Sequence, residues 1–208
     1  RHLPRGKYRV LPDAYRRAAG LCKHILPRDK ERDKDDLMPR SIQLPLSPET
    51  IKTLKAGDEV LLNGYVYTAR DQAHFRFVKA ISEKKVPALI KGQTVYYAGP
   101  TPACPGKVIG SCGPTTSSRM DFFTPHLLKA GLKGMIGKGS RSADVKRAIK
   151  KYKAVYFITI AGAGAYLSGK IIEARPVMYK DLGAEAVYRL KLKDFPAIVG
   201  IDSNGKEI

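Results

Sequence analysis

Cysteine is scarce. The 208 residues contain three, Cys22, Cys104 and Cys112, an odd number with no Cys-x-x-Cys pair. That set excludes a disulfide framework and an autonomous zinc site, and the separation of Cys104 and Cys112 does not suit a cluster held by this chain alone, so thiols and no protein-held metal are expected. Long apolar runs are missing too. Nothing approaches the roughly 20 residues of a membrane span, and the N-terminal residues are too charged for a secretory hydrophobic segment, so the expectation is a soluble, cytoplasmic chain with no membrane partner. Acids are few: 19 Asp and Glu stand against 38 Lys and Arg, a formal charge of +19. Such a surplus admits either a polyanion binder or an enzyme whose small anionic substrate is steered by the field. No basic stripe interleaved with aromatics, no zinc finger and no RNP-like sequence is present, which leaves a basic nucleic-acid-binding module as the weaker alternative.

What remains is ordinary globular composition, 43% hydrophobic and 27% charged, enough for one domain with a real core. Residues 1–40 stand apart. They combine several prolines, a weak helical stretch over 14–22 and a dense mixed-charge run over 28–40, and are expected to form a charged arm or linker, docking through Tyr8, Leu11, Tyr15, Leu21 and Ile25 or remaining free. The compact domain is expected over 41–208. Residues 42–46 predict a strand, Ser47-Pro48-Glu49 opens a capped helix, and Asn63-Gly64 between 59–62 and 65–68 predicts a type I′ hairpin. Asp71 is expected to cap a helix that faces Ala73, Phe77, Ala80 and Ile81 inward, with His74 off that face. Strands are expected over 95–98, 107–112, 135–136, 154–160, 186–192 and 197–202, with helices starting near Thr124-Pro125 and Ser142. Ala161-Gly162-Ala163-Gly164-Ala165 resembles half of a dinucleotide loop, but Leu167 stands where a third glycine is due, so it reads as a tight turn with close packing. Uniformly apolar strands beside alternating ones predict an α/β domain with one buried and one half-exposed sheet.

The stretch 109–121, Ile-Gly-Ser-Cys-Gly-Pro-Thr-Thr-Ser-Ser-Arg-Met-Asp, concentrates the chemistry. After Gly113-Pro114 it presents four hydroxyls ahead of Arg119, oriented donors beside a guanidinium that can grip a carboxylate through two parallel bonds. The same residues also serve as a turn, a helix cap from Thr116, Ser117 or Ser118, and a solvated arginine. Arg70 at a helix N-terminus fits a bound anion or a salt bridge to a nearby acid. Lys138, between Gly137 and Gly139, fits close approach to an anion or a solvated loop. His74 fits a structural hydrogen bond or proton transfer.

Three motifs, Thr68-Ala69-Arg70-Asp71-Gln72-Ala73-His74, Gly113-Pro114-Thr115-Thr116-Ser117-Ser118-Arg119-Met120-Asp121 and Gly137-Lys138-Gly139, followed by Ile201-Asp202-Ser203-Asn204-Gly205, resemble the beta subunit or C-terminal domain of class I fumarate hydratases and L(+)-tartrate dehydratases. The resemblance covers 41–208. It implies a three-layer swivelling β/β/α domain that closes over a cluster-bearing alpha subunit or domain, with homodimerisation of this chain a further option. It also implies a four-iron four-sulfur cluster held by that partner, and a C4 dicarboxylate substrate, fumarate or tartrate. Carried over by motif, Arg70, Arg119, Lys138 and Thr116 would bind substrate, Thr115 would take the carbon-bound proton, and Asp71, His74, Gly113, Pro114 and Gly137 would support them. Three fixed cations suit this chemistry, since removing a proton beside a carboxylate adds a third negative charge in the transition state.

Overall fold

The computed structural model describes residues 39–208, so the arm expected over 1–40 lies outside the described residues but for its last two. The strands are β1 (Arg40–Leu44), β2 (Glu59–Thr68), β3 (Thr94–Tyr96), β4 (Gly134–Gly137), β5 (Val155–Ile158), β6 (Ile171–Met178) and β7 (Val187–Ile201). The helices are α1 (Pro48–Thr53), α2 (Asp71–Ser82), α3 (Thr124–Lys129), α4 (Ala143–Tyr152) and α5 (Gly164–Ser168). Strands β1 to β5 are parallel neighbours in that order. β7 runs antiparallel to both β5 and β2, and carries β6 along its first half. Because β7 pairs with both β2 and β5, the ladder β2-β3-β4-β5-β7 closes on itself, and the two expected sheets are one hydrogen-bonded system sharing the long strands β2 and β7.

Two cores show the layering. Successive side chains of a strand point to opposite faces, so Tyr96, Ile136, Val155 and Phe157 meet Leu62, Val66, Leu190, Leu192 and Phe195 of β2 and β7. Val95, Met135 and Tyr156 point the other way, toward Ala73, Phe77, Leu127, Val145 and Ile149 of α2, α3 and α4. Strands β3, β4 and β5 are thus covered on both faces, which explains their lack of polar alternation. The result is an α/β fold in three layers: antiparallel strands, parallel strands, helices.

Several local expectations hold. Ser47 caps α1 by accepting from Thr50 N at 3.1 Å. Ser142 caps α4, and Val145, Ala148 and Ile149 are its buried residues. Others are corrected. Asn63-Gly64 is no hairpin but the middle of the ten-residue β2, at a register slip against β7. The Asn63 side-chain oxygen accepts from Asp194 N at 2.9 Å, and Asp194 takes the left-handed conformation. Gly64 has φ +107, and a Cβ there would lie 2.4 Å from the Leu44 carbonyl oxygen. The dipeptide therefore serves a bulge, because β2 gains ladder bonds on both edges by staying extended. Likewise 186–192 and 197–202 are one strand, β7, bent at Asp194 instead of broken. Residues 107–112 are a loop, and β6 has no counterpart in the expected elements. Arg70, not Asp71, occupies the N-cap of α2, without a side-chain cap bond. His74 lies on the buried face of that helix, while Ala80 and Ile81 are only partly covered.

Candidate functional site at the carboxyl ends of the parallel strands

Three neighbouring parallel strands each hand over to a motif. β2 ends at Thr68 and delivers Arg70, and β4 ends at Gly137 and delivers Lys138. β3 ends at Tyr96, and the carbonyl of the next residue, Tyr97, accepts from Thr115 N at 2.6 Å. The 109–121 stretch thus follows a long loop instead of a strand, and is brought back to the sheet edge by this bond. Carboxyl ends of parallel strands are where ligands gather in open α/β folds.

From Thr115 the chain runs beside the end of β4. Thr116 and Lys138 pair as a parallel bridge, Ser117 N donates to Lys138 O at 3.0 Å, and Lys138 N donates to Ser117 Oγ at 3.0 Å. The Tyr156 hydroxyl donates to Gly139 O at 2.8 Å and stands 2.9 Å from Ser117 Oγ. Lys138 is thereby held on both sides by buried groups. A Cβ on Gly137 would fall 2.0 Å from Ser117 Oγ and 2.9 Å from the Tyr97 ring, so glycine is required there for closeness and not for backbone freedom. Thr116 is exposed at the N-cap of the short 3-10 helix Ser117–Met120 and makes no side-chain cap bond. Thr115 is half-buried, and its hydroxyl has no hydrogen bond to a described residue.

The arginines meet through an acid. Arg119 Nε donates to Asp71 Oδ1 at 3.0 Å, and Arg70 Nη2 lies 3.9 Å from Asp71 Oδ2 and 3.7 Å from Glu185 Oε1. Glu185 also accepts from Gln72 N at 2.9 Å. Arg70 crosses Gly99, where a Cβ would sit 2.9 Å from Arg70 Cδ. Both readings of Arg70 therefore have a footing: it has acid partners, yet its Nε and Asp71 Oδ2 are buried without a hydrogen bond among the described residues. Two carboxylates, Asp71 and Glu185, stand against Arg70 and Arg119 here, and Lys138 follows the end of the neighbouring β4. Arg119 is half-exposed and engages Asp71 through Nε, leaving its outer nitrogens able to face a carboxylate.

Behind these residues the support is dense. The His74 ring packs against Tyr97, Phe77 and Phe123, and its Nδ1 lies 2.8 Å from Arg70 O. Burial holds its pKa down at about 4 from the usual 6.5. The neutral ring donates from Nδ1 to the Arg70 carbonyl and braces that turn. Arg141, fully buried, donates to Asp121 Oδ1 at 2.7 Å and to Thr124 Oγ1 at 2.8 Å, and lies over the rings of Tyr97 and Tyr156. Asp121 Oδ2 accepts from Ser142 N at 2.6 Å, tying the end of the hydroxyl motif to the start of α4. Pro114 is buried, and Gly113 packs on Gly164, whose own Cβ would lie 2.3 Å from Ser111 Oγ and 3.1 Å from Gly113 N. The glycine-rich turn after β5 thus seats the hydroxyl motif.

All the expected site residues therefore fall on one connected edge: Arg70, Asp71 and Arg119 joined by side chains, Thr115, Thr116 and Lys138 joined by backbone. Ser117, Asp121, Arg141, Tyr156 and Glu185 escaped the sequence reading as supports. Ser117 and Asp121 lie inside the motif, and Arg141 follows Lys138 closely, but no spacing connects Tyr156 or Glu185 to it. Among the described residues no group of three or more His, Cys, Asp or Glu could hold a metal. Cys104 is exposed and Cys112 buried, both free, and burial pushes the Cys112 thiol up to about 12. That donor set does not fit an iron–sulfur cluster. No helix of the described residues is long and apolar enough to cross a membrane.

Fold and site together define an α/β domain that gathers cations from separate motifs at the carboxyl ends of a parallel sheet. The chain belongs to the fumarase C-terminus family, whose model matches residues 19–208. It is 33% identical over 206 residues to the aerobic class I fumarate hydratase of Salmonella typhimurium, an alignment covering 97% of this chain and 33% of that protein. It is 36% identical over 173 residues to the mitochondrial fumarate hydratase 1 of Leishmania major, covering 82% of this chain and 30% of that protein. With the putative L(+)-tartrate dehydratase subunit beta of Methanocaldococcus jannaschii the identity is 35% over 170 residues, covering 78% and 87% of the two chains. The chain spans about a third of the length of the fumarate hydratases it matches.

Proposed function

We propose that this chain is the beta subunit, or the corresponding part, of an iron–sulfur hydro-lyase that reversibly hydrates fumarate to (S)-malate. The reading rests on one observation above all: Arg70, Arg119 and Lys138, far apart in sequence, sit on one strand edge linked through Asp71 and the Thr116–Lys138 pairing. Arg70, Arg119 and Lys138, with Thr116, bind the two carboxylates and oppose the extra charge that develops as the carbon-bound proton leaves. Thr115, held to the strand edge by its N–H bond to the Tyr97 carbonyl, is the group proposed to take that proton. A hydroxyl is a poor base near neutral pH, so its proton acceptance depends on the surrounding cations. The four-iron four-sulfur cluster, which would act as a Lewis acid on the substrate hydroxyl, is assigned to a companion alpha subunit, because the donors described here do not fit it.

A second reading, dehydration of L(+)-tartrate to oxaloacetate, is favoured by one comparison: the tartrate dehydratase subunit is matched over most of its length, the fumarate hydratases over a third. Turnover of anaerobically prepared holoenzyme on both substrates separates the two, and activity on neither defeats both. Arg119→Ala in the assembled enzyme is expected to lower turnover by orders of magnitude. Unchanged turnover would reduce this chain to an assembly partner.

A further inference from the structure

The proposed dicarboxylate site uses three cations, whereas the chain carries a surplus of +19. At the opposite, amino-terminal ends of β3, β4 and β5 lies a cavity of about 630 Å³, lined by Leu46, Pro48, Ile51, Lys52, Gly92, Lys133, Lys153, Ser203 and Asn204. Its volume falls in the range of small-molecule sites, about 300–1,000 Å³. Leu46 and Ile51 give it an apolar floor. Lys52, Lys133 and Lys153 surround it, and no acid is among its described lining residues. None of these lysines joins an ion pair with a described residue. Two of the ammonium groups are held in place: Lys133 Nζ donates to Tyr152 O at 2.6 Å, and Lys153 Nζ donates to Ser203 O at 3.3 Å. Each keeps further N–H donors after that bond.

The bland account has Lys133 completing the Tyr152 carbonyl at the end of α4, Lys153 completing that of Ser203, and all three lysines otherwise solvated. It accounts for the bonds but not for three cations placed around an apolar hollow with no neutralising acid among the described residues. An apolar hollow with a few convergent charges is the usual make-up of a small-ligand site. We propose that this cavity binds an amphipathic anion, a carboxylate or phosphate head on an apolar body, at a site separate from the strand edge that carries Arg70, Arg119 and Lys138. A C4 dicarboxylate lacks the apolar body, so the two sites would not compete for one ligand. The proposal does not depend on the hydro-lyase reading.

The test uses the full 208-residue chain and the fluorescent probe 8-anilinonaphthalene-1-sulfonate, which pairs an apolar body with an anionic head. Saturable one-to-one binding is expected, weakening as salt rises. Octanoate or octyl phosphate should displace the probe, the better of the two identifying the head group, and octanol should not. Lys52→Gln and Lys153→Gln should each weaken binding about tenfold, and Lys52, whose side chain makes no hydrogen bond to another described residue, offers the variant least able to disturb folding. Arg119→Ala should bind the probe as the unaltered chain does. Absence of saturable binding, displacement by octanol as effective as by octanoate, or affinity unchanged in both lysine variants would overturn the proposal.

Discussion

Replacing Gly137 with alanine isolates the clamp on Lys138. The added Cβ would stand 2.0 Å from Ser117 Oγ and 2.9 Å from the Tyr97 ring, and both neighbours are fully buried. Gly137 is not among the positive-φ glycines, so no backbone strain enters and the penalty is steric. Ser117 must shift by an ångström or more, which breaks its bonds with Lys138 N at 3.0 Å and Tyr156 OH at 2.9 Å. A buried donor left without a partner costs about 1–3 kcal/mol, and overpacking a filled core about 1–3 kcal/mol more. The expected loss is therefore about 2–6 kcal/mol, out of a total stability of about 5–15 kcal/mol. Urea denaturation followed by circular dichroism measures it. The sharper measurement is the double-mutant cycle with Ser117→Ala. If the hydroxyl is the obstacle, Gly137→Ala should cost about 1–2 kcal/mol less once that hydroxyl is gone. Gly92→Ala is the control: it has φ +76 and nothing near its Cβ, so it reports backbone strain alone. A Gly137→Ala variant as stable as the parent, or an additive cycle, would refute the reasoning.

Asp71→Asn should separate function from stability: its ion pair with half-exposed Arg119 is worth under about 1 kcal/mol to folding, yet turnover of the assembled enzyme should fall at least about tenfold as the two arginines lose their common anchor. His74 predicts a pH dependence. Its pKa is about 4 when folded against 6.5 as the ordinary value, so the unfolded chain binds the proton more readily; stability from this group should be full above pH 6.5 and fall by about 3 kcal/mol as pH drops to 4, and the overall fall should be smaller by about that amount in His74→Phe. Urea titrations at pH 7, 5 and 4 measure both. Arg141→Met should destabilise the chain by about 3–5 kcal/mol because it strands Asp121 without its cation, and a melting temperature within a degree of the parent would contradict the buried pair.

Some of this was legible beforehand. Caps at Ser47 and Ser142 depend on a side chain and an N–H three residues on, so their spacing is written in the local sequence. The apolar strand at 154–160 and the inward face of α4 are likewise short-range patterns. The cationic motifs could be picked out because hydroxyls, glycines and basic residues are concentrated in them. Their roles stayed open, since Arg119 beside Asp71 and Arg119 in water have the same sequence neighbours.

The sequence by itself determined which residues were chemically able to act, where several helices begin, and that the chain is an α/β domain of the fumarase C-terminus type. Tertiary structure alone decided that Asn63-Gly64 is a bulge, that His74 is buried, and that Tyr156 fastens Ser117, 39 residues away, beside Lys138. The physical reason is range. Capping and periodicity act within one or two turns of chain, whereas the parallel pairing of β2, β3 and β4 and the bonds that return the hydroxyl motif to Tyr97 and Lys138 are contacts between distant segments, and they bring the arginines and the lysine to one edge.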